Sequence, residues 1–598
     1  MPRTATKPKQ TTPIKSAKAK HPKPKVMEIA KPEPSAEAQQ PVGNPLAGTP
    51  LAYAIDSFQR SVLFWDVIRK RADNFLKHES EGLPPVLNFE YEPVLDARTF
   101  KKPCNYALLK ITAYGDACLE DCLDPKKPPV IIVDPRAGHG PGIGGFKRES
   151  EVGIALHQGH PVYFVIFYPK PEPHQTIQDV LAALRAFVTE VHKRHGNKPP
   201  VMIGNCQAGW MLALLSADCK EDVKLGAAVL CGSPLSYWAG KPGKNIMQLQ
   251  GGLCGGVWLD RFMGDIGAGE FDGAWLVENF ENMNPAQAVW LKYYDLYSKI
   301  DTEEERFLSF ERWWNGFFRF STEEIVATVS QLFIGNEIED GELEIHPGCN
   351  VNLKNIKNPL LIFASEGDEI TPPYQALAWV AAVYKKTADL KAAGQRIVYM
   401  IHPKVGHLGI FVSAEVARKQ HNAIIGNIEE LSQLKPGLYE MAIQEGALRK
   451  DCEIPTHHVR FEERAIEDIA CHYSHKDFER VRQVSEFNDK LYSQWVSPFV
   501  QMMSNPIAAT AMRWLHPMRT TRYMWSQWLN PAMWGVAALA PFVREHRLQA
   551  APDDPLRKME GESSQMIADG LHAAKKAVDD GSKEAFRMLY SQHAEHKV

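Results

Sequence analysis

What the sequence has little of narrows it first. No apolar run approaches the roughly 20 residues that a membrane-spanning helix needs; the longest, Ala532 to Val543, is short and holds Pro541. An integral membrane protein is therefore not expected, although a short amphipathic segment can still lie on a surface. Cysteine is sparse, 10 in 598 residues, and the chain opens without an apolar signal segment. Free thiols in a reducing cytoplasm are expected rather than a disulfide framework. Cys118 and Cys122 have the spacing of half a zinc site, but the compact pair that could complete it, Cys471 with His475, is far along the chain, so these residues are read as small buried hydrophobes and no metal is expected. The formal net charge is only -4, which gives no reason to expect a specific nucleic-acid partner.

Acidic residues are missing from residues 1–27, which carry Arg3, Lys7, Lys9, Lys15, Lys18, Lys20, Lys23 and Lys25. Residues 1–45 are poor in aromatic and branched apolar side chains and are read as a disordered basic tail, a solvated segment that binds polyanions weakly. Residues 46–104 are read as an N-terminal helical segment, because Phe58, Val62, Phe64, Trp65, Ile68 and Phe75 recur near helical spacing from Tyr53 to His78.

From residue 105 the pattern changes to short continuous apolar runs, Val130 to Val133, Val162 to Phe167, Val201 to Ile203 and Ala227 to Cys231, separated by helical stretches. Continuously apolar strands alternating with helices predict an α/β fold with a mostly parallel sheet covered on both faces. The alternation stops near Tyr237 and resumes at Pro359. Residues 105–236 and 358–432 are thus read as two parts of one core, and 237–357 as a helical lid insertion. Residues 433–598 are expected to be a helical C-terminal region. Its stripe of Trp495, Met502, Met503, Trp514, Met524, Trp525, Trp528 and Trp534 is read as core, and Ser563 to Arg587 as an amphipathic or solvated helix.

The chemistry centres on Gly204-Asn205-Cys206-Gln207-Ala208-Gly209, which follows the strand Val201 to Ile203 and opens an Ala- and Leu-rich helix. A nucleophile elbow has this context: a strained strand-to-helix turn presents the nucleophile, and small neighbours make room for it. Ala208 stands where the commonest pattern has glycine. Downstream, one strand runs into Ser365-Glu366-Gly367-Asp368 and the next into Gly406-His407, the positions an α/β-hydrolase fold reserves for acid and base. Cys206, Asp368 and His407 are therefore the candidate triad; Glu366 and Glu369 compete for the acid and His402 for the base. The backbone N–H of Gln207 is the expected first oxyanion donor, and Arg136 or Ala137, in the loop after Val133, the second. The same loop contains Gly140-Pro141-Gly142-Ile143-Gly144-Gly145, which matches a dinucleotide fingerprint. The next strand ends in Phe167-Tyr168-Pro169-Lys170 without the acid such a site requires, so the glycines are read as backbone room and no cofactor is expected. His139 in this loop could touch substrate.

With these residues placed, the chain resembles the polyhydroxyalkanoate synthases on Gly204-Asn205-Cys206-Gln207-Ala208-Gly209, Gly367-Asp368-Glu369-Ile370-Thr371-Pro372 and Gly406-His407, over roughly residues 105 to 430. It is still more similar to bacterial proteins labelled 3-hydroxyalkanoate synthetase-like. The resemblance implies an α/β-hydrolase fold and a Cys-dependent acyltransferase that takes 3-hydroxyacyl-CoA thioesters through an acyl-cysteine, with hydroxyacyl-CoA or polyester as partner, at the surface of cytoplasmic storage granules. It departs from the family at Ala208, at Glu369 where synthases have histidine, and in the C-terminal region. Two alternatives stay open: a thioesterase or intracellular polyester depolymerase with the same triad, and a non-enzymatic granule-associated protein. A homo-oligomeric state is also left open.

Overall fold

A computed structural model describes residues 49–114, 117–118, 123–220, 224–240, 246–444, 458–469 and 475–590. The basic tail, Cys122 and Cys471 lie outside the described residues. The main sheet has eleven strands: β1 (Glu90–Asp96), β2 (Tyr106–Tyr114), β3 (Ala117–Cys118), β4 (Val130–Val133), β5 (Val162–Phe167), β6 (Val201–Asn205), β7 (Ala228–Cys231), β8 (Leu360–Ser365), β9 (Arg396–His402), β10 (Gly437–Gln444) and β11 (His458–Arg464). Their spatial order is β1-β2-β5-β4-β6-β7-β8-β9-β10-β11, with β3 paired to β2. Every pairing from β5 through β10 is parallel, while β1, β2 and β11 join antiparallel. The exchange of β4 and β5 ahead of the run β6 to β9 is the α/β-hydrolase order. The chain has that fold.

The apolar runs become central strands because both faces are covered. Every residue of β4, β5, β6 and β8 is buried, and such strands have no reason to alternate polar with apolar side chains. The flanking helices include α1 (Pro50–Ser80), α2 (Glu151–His157), α3 (Ile177–Arg194), α4 (Gln207–Ala217) and α5 (Pro373–Val383). Helix α3 starts where its residues dictate: Thr176 accepts from the Asp179 amide while the Asp179 carboxylate accepts from the Thr176 amide, a reciprocal cap.

Between β7 and β8 the chain leaves the sheet as helices, among them Trp258–Ile266, Ala274–Met283 and Ile300–Trp314. Leu296, Ile300 and Phe307 of this insertion pack with Leu63, Val67 and Ile68 of α1 and with Ala540 and Val543 of the C-terminal helices. Helix α1 thus sits between the insertion and the C-terminal region, and its fully buried Arg60 pairs with Asp56 and Glu560.

Four expectations need correction. Strand β1 lies in the segment read as helical, and β10 and β11 extend the sheet into the region read as wholly helical. In β11, His-Val-Arg-Phe-Glu-Glu-Arg, charges of an edge strand hide the apolar signal. The Met and Trp stripe is not core: Trp495, Met502, Met503, Trp528 and Trp534 are between 64% and 78% exposed, and Met524 is exposed too. Trp514 and Trp525 alone in that stripe are half-buried, Trp525 against Trp65. Helical spacing shows that a helix has an apolar face but not whether anything covers it. Finally, Cys219 and Cys349 are joined as a disulfide across 130 residues, with Cα atoms 6.3 Å apart, whereas Cys104, Cys206, Cys231 and Cys254 are free. Among the described residues, no helix is long and apolar enough to cross a membrane.

Candidate active site

Cys206 sits between the end of β6 and the start of α4 with φ 49° and ψ -116°, a conformation costly for a residue with a side chain. The surroundings hold it there. Its amide donates to the Cys231 carbonyl at 2.8 Å, and a Cβ on Gly204 would come within 2.7 Å of Leu212, while one on Gly209 would meet the Ser233 hydroxyl at 1.9 Å. Both glycines are therefore required where helix, strand and turn pass closest. Ala208 is buried with its methyl accommodated. Behind the turn, the Asn205 amide group donates to Glu151 at 2.6 Å, and burial raises the Glu151 carboxyl to about 7.

The acid and the base come from adjacent loops that are fastened to each other. The Ser365 hydroxyl donates to the Val405 carbonyl at 2.5 Å, and a Cβ on Gly367 would lie 2.3 Å from the Lys404 carbonyl, so the two loops can cross only over glycine. Asp368 is buried, its Oδ1 accepts from the amides of Ile370 and Thr371 at 2.8 Å each, and its Oδ2 accepts from His407 Nδ1 at 2.7 Å. Cys206 lines the same cavity as His407 and acts on it electrostatically. Burial works against the imidazolium, but the Asp368 carboxylate and Cys206 outweigh it and hold His407 well above its ordinary value. The three candidates thus meet beyond the C-terminal ends of β6, β8 and β9, with the imidazole held by the carboxylate and facing the cavity that the sulfur lines.

The competitors are elsewhere. Glu366 and Glu369 are exposed, and His402 spends its Nδ1 accepting from the amides of Lys404 and Val405.

Of the oxyanion candidates, Gln207 is the first residue of α4, where a backbone N–H has no intrahelical acceptor. Arg136, Ala137, Gln207 and Cys206 line one small pocket together. The Arg136 side chain is committed to Asn105, the Arg319 carbonyl and Glu324, so only its backbone is placed for a role at the sulfur. The fingerprint glycines fold around a carboxylate of this chain, since the amides of Gly142 and Gly144 donate to Asp134 at 2.6 and 3.1 Å. Those two amides are turned to an internal acid rather than outward to a phosphate.

His139 lines the main cavity beside His407 and packs on Trp313 and Trp314. Burial, with His407 nearby, pushes it down to about 3, so it faces the site as a neutral ring. Sequence reasoning missed Tyr237. Its hydroxyl is buried, has no hydrogen-bond partner among the described residues, and is pushed well above its usual range by burial and by Cys206. Nothing in the local sequence marks it; it follows β7 and reaches Cys206 only through the fold.

The triad opens on a cavity of roughly 380 Å³ walled by Phe280, Phe307, Phe310, Trp314 and Phe411, mostly contributed by the insertion. A thiol at an elbow, a held imidazole and an apolar chamber are parts that acyl transfer can use.

A family model matches residues 56–597 of this chain, and its description is "Protein of unknown function (DUF3141)". The chain belongs to this family. One relative of this DUF3141 chain, "Uncharacterized protein in ackA 5'region" from Rhizobium meliloti, is 43% identical over 553 residues, covering 91% of this chain and 74% of its own. Among solved structures, the alpha/beta hydrolase enzyme MGS-M2 from a Medee basin deep-sea metagenome library shares 13% identity over 57% of this chain and 97% of its own, with a TM-score of 0.32. An esterase from Pyrobaculum calidifontis shares 12% over 64% and 93%, with a TM-score of 0.32. Likeness at this level carries no functional argument for the DUF3141 chain, and its fold assignment rests on the strand order.

Proposed function

We propose that the chain is a cysteine-dependent acyltransferase that takes 3-hydroxyacyl-CoA thioesters, as the polyhydroxyalkanoate synthases do. The observation that carries this reading is Cys206 at the elbow, lining one cavity with a His407 whose Nδ1 Asp368 holds at 2.7 Å. In the first step His407 Nε2 takes the Cys206 proton and Sγ attacks the thioester carbonyl. The C–S bond to CoA breaks, and the CoA sulfur leaves with the proton from His407. One thioester replaces another, so the step is close to balanced in energy, and the acyl-cysteine remains reactive towards a hydroxyl group.

Cationic side chains at and beside the cavity favour a CoA thioester over a neutral ester. Arg306 lines the cavity, Lys147 donates to the carbonyl of the lining residue Val412, and Arg306 and Arg418 lie within electrostatic reach of Lys147. This cationic group is tempered by Glu149 and Glu303, yet it is suited to a head carrying several phosphates. The apolar walls suit the acyl chain. The exposed Trp495, Phe499, Met502, Met503, Trp528 and Trp534 favour contact with a hydrophobic polyester surface. Co-sedimentation with polyhydroxybutyrate particles, lost on Trp495→Ser/Trp528→Ser/Trp534→Ser, tests that part.

The central test is the intact mass of the full chain after exposure to 3-hydroxybutyryl-CoA. An added hydroxyacyl group that is absent in Cys206→Ala is the expected result, followed by growth of chain length. Release of free acid and CoA without oligomer would instead assign a thioesterase with the same triad. No adduct and no CoA release would leave a non-enzymatic role.

A further inference from the structure

We propose that Asp218, Cys219, His346 and Cys349 form a structural metal site that takes one zinc-class divalent cation. Asp218 and Cys219 directly follow α4, the helix that begins at the nucleophile. His346 and Cys349 end and begin the two strands of a small hairpin, Glu344–His346 and Cys349–Asn350, turned over Pro347 and Gly348. The fold brings the pairs together so that one donor atom from each of the four residues lies within 4.8 Å of the other three. Donors of a tetrahedral zinc ion, at about 2.0–2.3 Å from the metal, stand about 3.3–3.8 Å apart, so the four donors can close one coordination shell once a thiol reductant opens the Cys219–Cys349 bond and the two sulfurs separate to that spacing.

Three further details fit a cation. His346 Nε2 lies 3.1 Å from Asp218 Oδ1, an approach of two donors towards one centre. Its other nitrogen, Nδ1, faces the Pro347 carbonyl at 3.5 Å, the type of partner that fixes the tautomer of a ligating imidazole. The Cys219 amide donates to Cys349 Sγ at 3.4 Å, a contact that a thiolate ligand would keep. Charge also closes in the reduced form: once a thiol reductant has given two electrons to the Cys219–Cys349 bond, two thiolates and a carboxylate carry three negative charges, a divalent ion removes two, and the Arg185 guanidinium, paired with the second Asp218 oxygen, offsets the third. The bond that joins Cys219 to Cys349 uses two of the four donors and leaves the imidazole and carboxylate beside it to each other and to Arg185. A cation uses all four.

The site has four protein ligands, which leaves no open position for substrate. It lies at the far end of α4, about 16 Å from Cys206 at 1.5 Å per residue. Its effect is to tie the C-terminal end of the nucleophile helix to the last part of the insertion before β8. Cys219 is exposed, so an ion can load from solvent.

The test uses the full chain, purified under reducing conditions, incubated with zinc chloride and freed of excess metal. Elemental analysis is expected to give close to one zinc per chain, at least tenfold less in Cys219→Ser/His346→Ala, with release of the metal from the parent protein when its thiols are titrated with a mercurial. Cobalt in place of zinc is expected to give thiolate-to-metal charge-transfer absorption, a readout that needs no variant to fold. Zinc below a tenth per chain overturns the proposal, whether peptide mapping then finds a Cys219–Cys349 disulfide or free thiols. So does zinc retained by the double variant.

Discussion

Replacing Asp368 by asparagine removes one charge and almost no volume, and the consequences can be worked through atom by atom. Oδ1 accepts from the amides of Ile370 and Thr371, and an asparagine oxygen keeps both bonds, so the loop is expected to hold. The change falls on the other atom. Where Oδ2 now accepts from His407 Nδ1 at 2.7 Å, an amide NH₂ can only donate. That forces His407 to carry its proton on Nε2, the nitrogen that must accept from Cys206. The lost charge adds to the effect, since unit charges about 4 Å apart at an effective dielectric of about 20 attract by about 4 kcal/mol. General acid–base catalysis is worth about 10²–10⁴-fold, and both effects act on that step, so acylation of Cys206 by 3-hydroxybutyryl-CoA is expected to slow by about 10³-fold. The assay is the time course of the acyl adduct by intact mass, with thermal unfolding as the control for folding. Because His407 sits above its ordinary value through Asp368 and Cys206, the variant should also show its imidazole titration shifted to lower pH by NMR. An acylation rate within threefold of the parent, in a variant that unfolds at the same temperature, would refute the triad geometry.

Tyr237→Phe is expected to raise the melting temperature, because an unpaired buried hydroxyl costs about 1–3 kcal/mol, while lowering the acylation rate by about tenfold or more if the hydroxyl steadies the developing oxyanion beside Cys206; steady-state kinetics with calorimetry reads both. Glu151→Gln addresses a buried carboxyl held near 7: its folded value lies above its unfolded one, so the stability it contributes is full below about pH 4 and is lost as pH rises towards 7. The variant should gain on the order of 3 kcal/mol over the parent at pH 8 and nothing at pH 4, measured by denaturant titration at both. Arg522→Met, which strips a buried partner at 2.7 Å from Glu281, is expected to cost about 3–5 kcal/mol, with part of the loss recovered in Arg522→Met/Glu281→Met.

The parts of the fold that were legible in the sequence are those where one cause dominates. Strands buried on both faces read as unbroken apolar runs, and Gly204 and Gly209 read as an elbow because a helix, a strand and a strained turn leave room there for nothing larger. Asp368 and His407 could be named since each follows such a strand in the order the fold imposes. Where two causes compete, the sequence is silent. The face of α4 that ends in Asp218 and Cys219 and the hairpin that carries His346 and Cys349 are 130 residues apart, and no local pattern says they meet. Tyr237 and the exposed tryptophans have the same ambiguity: an aromatic side chain after a strand or along a helix has one spelling whether it fills a core, faces a nucleophile or faces water.

The C-terminal helices have a physical role that the ion pairs disclose. Arg519 pairs with Asp272, Arg522 with Glu281, Arg544 with Glu304 and Arg547 with Asp301. All four acids belong to the insertion that walls the cavity. The first two pairs are buried on the arginine side, and the side chain of Glu311, behind the cavity wall, is fully buried between Lys292 and Arg71 of α1. Removing Arg519 and Arg522 would leave Asp272 and Glu281 without their charged partners from the C-terminal region, a change that costs several kcal/mol where the carboxylate is buried. The lid is therefore held from outside as well as from the sheet. Under the proposed acyl-cysteine chemistry, an insertion fixed at both sides would keep water from the intermediate, and keeping water out is what separates transfer to a hydroxyl acceptor from hydrolysis.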